Sequence, residues 1–203
     1  MPRSVIPKPI EIPLLLPSIV RSNYTNMSFL LKMSTIVAIS LTTLSASAQQ
    51  FPSINTESPN RSEVNLPTDL SGKKSILFLA FTKEAEEMLD NWYAPVYTMF
   101  IDKSGFNAMA YDCHVKLVMM FTGLGQSLSE NIMEKIRANV DEEMSDYLLF
   151  YQGDFKEHMQ DLDLKKKDDA YVFVLDEAGK IIFHDSGRYS ESKLEKIADL
   201  VEL

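Results

Sequence analysis

Ser75-Ile-Leu-Phe-Leu-Ala-Phe-Thr82 runs without a break into Lys83-Glu-Ala-Glu-Glu-Met-Leu-Asp-Asn-Trp-Tyr-Ala-Pro-Val-Tyr-Thr-Met-Phe100, and the change of period between the two decides the fold. The first half is continuously apolar, as a strand covered on both faces of a sheet must be. In the second half Ala85, Met88, Leu89, Trp92, Val96, Met99 and Phe100 recur at helical spacing and form one stripe. A buried strand that turns directly into a helix is half of a βαβ unit, and such folds commonly place their chemistry at the junction. Here the junction reads Thr82-Lys83-Glu84-Ala85, with no glycine loop and no cysteine. Pro95, inside the stripe, lacks a backbone donor and predicts a kink.

Downstream, Tyr111–Phe121 alternates as a strand with Tyr111, Cys113, Val115, Leu117 and Met119 on one face. Gly123 and Gly125 end it, and Ser127-Leu-Ser-Glu130 has the pattern of a capping box. The helix it would open places Leu128, Ile132, Ile136 and Val140 on a shared face. Tyr147–Tyr151 reads as another buried strand, followed by a short helix within Phe155–Leu164 and a solvated linker, Lys165–Asp169. Ala170–Asp176, a turn through Glu177-Ala178-Gly179, and Lys180–Asp185 form a β-hairpin. Ser190 then caps a last helix with Leu194, Ile197, Ala198 and Val201 on its stripe.

Upstream, Val64–Leu70 is expected to pair as a short edge strand, and residues 49–63 to form an extended polar arm. Residues 27–48 combine Lys32, a short apolar run and Ala46-Ser47-Ala48, the pattern of a cleavable signal peptide. Export to the periplasm or the exterior follows from it, with a mature start at Gln49. The Pro-rich residues 1–26 then precede the true start, Met27 or Met33. The apolar run is too short for a stable membrane span.

The chain holds 20 Lys+Arg and 29 Asp+Glu; four basic residues and one acid lie before residue 49, leaving 16 against 28 in the remainder. A domain that acidic repels phosphate backbones and anionic lipid surfaces, which argues against nucleic acid and leaves protein partners, cations or neutral ligands open. Its one cysteine, Cys113, permits no internal disulfide and no cysteine-based zinc site.

The order β-α-β-α-β, then β-β-α, predicts a central mixed sheet with helices on both faces, a C-terminal hairpin and a final helix. This resembles the thioredoxin-like α/β three-layer sandwich over residues 64–203, with an N-terminal extension of the peroxiredoxin sort. Leu77–Thr82 resembles the strand that leads to that family's active site, Pro95 its helix-kinking proline, and Tyr171–Phe183 its terminal hairpin. Within the superfamily, Ala170–Asp176 with Gly179-Lys180-Ile181-Ile182 and Ser186-Gly187 is similar to the mitochondrial ATPase-complex assembly factor family. That resemblance implies a branch without redox activity.

The superfamily's reaction needs a thiolate at the helix N-terminus. Thr82-Lys83-Glu84-Ala85 stands there, Glu84, Glu86 and Glu87 oppose the helix field, and Asp168-Asp169-Ala170 replaces the family's cis-proline. Cys113 reads either as a small core hydrophobe or as the thiol of a one-cysteine peroxidase or oxidoreductase, and its apolar strand face favours the former. His114 points away from Cys113 on a strand, and His158 and His184 have no second histidine at ligand spacing, so neither a metal nor a cofactor is expected. The Met-rich Leu117–Phe121 is weighed as core strand against docking groove, in favour of core. The expected function is protein binding, as an assembly or folding factor, with Lys83, Glu84 and Tyr93 as the partner-binding candidates.

Overall fold

The computed structural model describes residues 49–102 and 107–203; the segments 1–26 and 27–48 lie outside them. Strands β1 (Ile54–Glu57), β2 (Glu63–Leu66) and β3 (Ser75–Ala80) precede helix α1 (Lys83–Val96), which widens into a π turn at Tyr97–Ile101 just past Pro95. Then come α2 (Asn107–Ala110), β4 (His114–Thr122), α3 (Gln126–Arg137), α4 (Glu142–Ser145), β5 (Leu148–Gly153) and α5 (Lys156–Asp161). The hairpin β6 (Tyr171–Leu175) and β7 (Ile181–Ser186) leads to α6 (Glu191–Val201). The strands form one sheet in the order β2-β1-β5-β4-β3-β6-β7.

All six residues of β3 are buried, because the strand is central and covered twice. Ile76, Phe78 and Ala80 meet Ala85, Leu89, Trp92 and Val96 of α1, together with Leu194, Ile197 and Val201 of α6. Leu77 and Leu79 point the other way, toward Phe51, Leu70, Phe155, Leu162 and Leu164. Its neighbours are β4 in parallel (Ile76↔Val115) and β6 antiparallel (Phe78↔Val172). The chain steps from β3 to β4 to β5 in one direction, so right-handed crossovers lay α1 and α3 on the same face. Leu117 of β4 touches both the cluster under α1 and the one under α3, as that geometry requires.

Three expectations need correction. Residues 49–63 are more than a polar arm: Ile54 and Thr56 of β1 are buried, and β1 pairs with β5 (Thr56↔Tyr151) as well as β2. Only one large apolar residue marks this four-residue strand, too little to show a period. The capping box does not form, since α3 begins at Gln126 with Gly125 as its N-cap, which places Ser127 already inside the first turn. That earlier start also rotates the helix. Leu128 is exposed while Ser129 and Met133 are buried, and Ile132, Ile136 and Val140 lie at the edge of the cluster.

Gly179 turns the β6–β7 hairpin at φ +79°, and a Cβ there would come within 2.6 Å of Pro67 Cγ. Both the backbone conformation and the space demand glycine. Gly179→Ala should cost more than about 1 kcal/mol, read as a lower urea midpoint at unchanged m-value.

Candidate functional site

β3 ends in Phe81-Thr82, and the Thr82 hydroxyl accepts a 3.4 Å hydrogen bond from the Ala85 amide to start α1. At this junction, over the C-terminal ends of β3 and β4, lies an open crevice of about 520 Å³. Phe81, Met119 and Phe121 line its apolar side, and Lys83, Glu86 and Lys167 its polar side. Lys167 arrives from the loop before β6 and donates to Thr122 Oγ1 at 2.8 Å. No cysteine or histidine lines this crevice among the described residues, so it carries no thiolate and no imidazole base.

A second hollow of about 530 Å³ continues from it along β4, between α1 and the segment that joins α3 to α4. Lys83, Glu86 and Met119 belong to both spaces. Leu117 and Met119 form the floor, because β4 is covered on this face by α1 on one side and α3 on the other, with neither helix directly above it. Glu86, Leu89, Asp90 and Tyr93 of α1 make one wall, Asp141 and Met144 the other. Beyond Tyr93 and Met144 the trench closes down to a small apolar cavity of about 60 Å³ that reaches Trp92 and Tyr147. The Tyr97 hydroxyl donates to Glu143 across that end, and the bond pushes its phenol up to about 12.

The structure brings two of the three partner-binding candidates together. Lys83 stands where crevice and trench meet, and Tyr93, 45% exposed, lines the trench ten residues further along α1. Glu84 faces solvent outside both hollows; its own backbone amide and then the Thr82 hydroxyl hold its carboxyl below the usual range. Cys113 is half-buried against the α1 cluster, just before the first residue of β4. The crevice lies toward the other end of that strand, its lining running from Met119 to Thr122, and is therefore roughly 20–30 Å from the thiol at about 3.3 Å per residue. Cys113 shares a hollow of about 320 Å³ with His114 and Lys116, where burial, followed by Lys116 and Lys73, holds the His114 imidazole below its ordinary 6.5.

The floor and the far wall went unrecognised as a site in the sequence. The Met-rich stretch is core at Val118, Met120 and Phe121, but Leu117 and Met119 are only half-buried. Asp141 belongs to the run Asp141-Glu142-Glu143, which reads as an acidic break between elements, and Met144 follows it. A gap between two helices has no local signature, since it depends on residues that are absent from above the strand. Among the described residues no group of three or more His, Cys, Asp and Glu could hold a metal ion, and no helix is long and apolar enough to cross a membrane.

A family model described as ATP10 protein matches residues 37–203. No curated protein matches the sequence significantly. Among solved structures the chain resembles an exposed lipoprotein thioredoxin of Streptococcus pneumoniae, at 11% identity and TM-score 0.52, over 73% of this chain and 99% of that one. It is also similar to a mitochondrial 2-cys peroxiredoxin of Plasmodium falciparum (12% identity, TM-score 0.46, 76% and 93% covered). A thiol:disulfide interchange protein of Chlorobium tepidum gives 12% identity, TM-score 0.46, and 76% and 96% covered. At these identities the likeness concerns the fold alone, and the first of them shows it to be thioredoxin-like. The family match overturns the expected export to the periplasm or exterior. It begins at residue 37, inside the segment read as a cleaved signal, and the family is that of a mitochondrial ATPase assembly factor, not of secreted proteins.

Proposed function

Because this chain belongs to the ATP10 protein family, we propose that it is an assembly factor of the mitochondrial ATPase complex that works by binding a protein client and has no thiol chemistry of its own. One observation carries the second half. The crevice at the start of α1, where a thioredoxin-like fold would act on a disulfide, holds Thr82 and Lys83, while Cys113 lies at the opposite end of β4. Disulfide exchange needs an accessible thiolate at the point of attack, and a half-buried thiol a strand length away does not supply one.

The same separation bears on the single-cysteine reading. A peroxidatic thiol requires a neighbouring positive group to lower its pKa. Burial holds both His114 and Lys116 below their ordinary values, which weakens them as cations for the thiol, and Lys116, which lines the same hollow as Cys113, points its ammonium at the Asp146 carbonyl at 2.5 Å. The test is complementation of cells that lack their own member of this family. Wild type and Cys113→Ser should restore assembled ATPase to the same level. Loss of assembly in a folded Cys113→Ser protein would return the function to the thiol; failure of the wild type would remove the assembly reading itself.

A further inference from the structure

The helix layer on one face of the sheet has a gap, and the gap has a charge pattern. Leu117 and Met119 lie half-buried on its floor, and Tyr93 stands 45% exposed on its wall. Such apolar surface would ordinarily be covered, and a trench of about 530 Å³ admits a row of large side chains. Above that floor the rims are acidic on both sides, with Glu86, Glu87 and Asp90 on α1 and Asp141 across from them. Lys83 offsets only part of the rim. It sits at the crevice end, 4.0 Å from Glu87, with both side chains mostly in solvent.

We propose that this trench is the docking site for an amphipathic segment of the client protein whose aliphatic face lies on Leu117 and Met119 and whose Lys or Arg side chains meet Glu86, Asp90 and Asp141. The proposal rests on the assembly-factor reading and adds the chemistry of what is bound. Complementarity of charge selects the occupant. An acidic or neutral helix would bring its polar flank against carboxylates, whereas lysines flanking an aliphatic stripe satisfy both the floor and the rim. Glu86 is the rim carboxylate that a cation would relieve most, since Lys83 only partly opposes its burial and its acidic neighbours. Desolvation and then Asp90 push its carboxyl above the ordinary value, and a bound ammonium or guanidinium would reverse that. A helix fits the space for a structural reason: α1, α3 and α6 already lie on this face, and a further helix over β4 would complete the layer.

The full chain reports on its own occupancy, because its one tryptophan, Trp92, borders the closed end of the trench. The probes are two peptides of roughly 18 residues, five turns at 3.6 residues per turn, one of leucine and lysine and one of leucine and glutamate at the same amphipathic spacing. The leucine–lysine peptide should bind saturably and shift Trp92 emission, and the leucine–glutamate peptide should do neither. The rim variant Glu86→Gln/Asp90→Asn/Asp141→Asn should weaken binding at least about tenfold, a difference of about 1.4 kcal/mol. Met119→Ser should weaken it without changing the salt dependence.

A control triple, Glu191→Gln/Glu195→Gln/Asp199→Asn on α6, removes as many carboxylates at exposed positions away from the trench. It should leave affinity within about twofold, some 0.4 kcal/mol. If control and rim triples weaken binding equally, the attraction is diffuse and the trench is not a site; equal binding of both peptides overturns it as well. Complementation separates the two levels. A folded rim variant that restores ATPase assembly as well as wild type would overturn the trench and leave the assembly reading intact.

Discussion

Trp92→Ala is expected to remove about 3–5 kcal/mol, the cost of truncating a large aromatic side chain in a packed core. Domains of this kind have about 5–15 kcal/mol in all. The indole is 3% exposed and lies between two rings, Phe78 at 5.4 Å on β3 and Tyr189 at 5.4 Å in the loop before α6. Its Nε1 donates to the Gly187 carbonyl at 3.2 Å. One side chain therefore joins α1, the central strand and the chain that leaves the hairpin. Trp92→Phe keeps most of the packing and loses the hydrogen bond, so it should cost about 1 kcal/mol for the bond plus a smaller packing loss. Urea unfolding followed by far-UV circular dichroism should rank wild type above Trp92→Phe, and that variant well above Trp92→Ala. Equal midpoints for the two variants would show that the indole nitrogen, and not the ring volume, sustains this corner.

Arg137→Ala is the second large effect. The Arg137 side chain is only 8% exposed, yet it meets three carboxylates: Glu57 at 2.5 Å, Glu134 at 2.5 Å and Glu130 at 3.2 Å. The guanidinium also lies 5.3 Å from the Phe150 ring centroid, so it joins β1, α3 and β5 at one point. Removing one partner of a buried ion pair typically costs about 3–5 kcal/mol. Here the carboxylates keep 39–47% of their exposure and can turn toward water, so we expect less than that, about 2–3 kcal/mol. Adding Glu57→Gln to Arg137→Ala should recover part of the loss, since it is the stranded charge that destabilises.

The pH dependence follows with a definite sign. Arg137, the largest influence, holds the Glu134 carboxyl below its ordinary 4.5. A depressed carboxylate contributes stability above its unfolded value and loses it as pH falls through the folded one. Wild type should therefore lose stability on acidification below about 4.5, and Arg137→Ala should lose less over the same range. Parallel acid limbs for the two proteins would show that Arg61, which also reaches Glu134 at 2.5 Å, suffices to hold that carboxylate ionised.

Much of the fold was legible because two signals were strong and local. The apolar run Ser75–Ala80 could only be a strand buried on both faces, and Tyr171–Ser186 is a hairpin whose turn requires Gly179. The parallel arrangement then followed from the alternation of strands and helices. β1 was not legible, since it owes its place to pairing with β5 and to the burial of Phe51 and Ile54, not to a pattern of its own. In α3 a two-residue difference in the N-cap, Gly125 in place of Ser127, goes with the exchange of Leu128 for Ser129 as the inward residue. The Arg137 cluster did leave a trace: Glu130, Glu134 and Arg137 at spacings of four and three share one helix face. Of the site, Lys83 and Tyr93 could be picked out on α1, but the floor on β4 and the wall at Asp141 are supplied by distant parts of the chain.

The seven-stranded sheet has two outer rims, β2 and β7, and neither is bare. Glu63 stands on the first; Asp185 stands on the second. Charges of this kind discourage a foreign strand from zipping onto an open edge. Guarded borders of this kind keep one copy of this chain from seeding a cross-β stack on another.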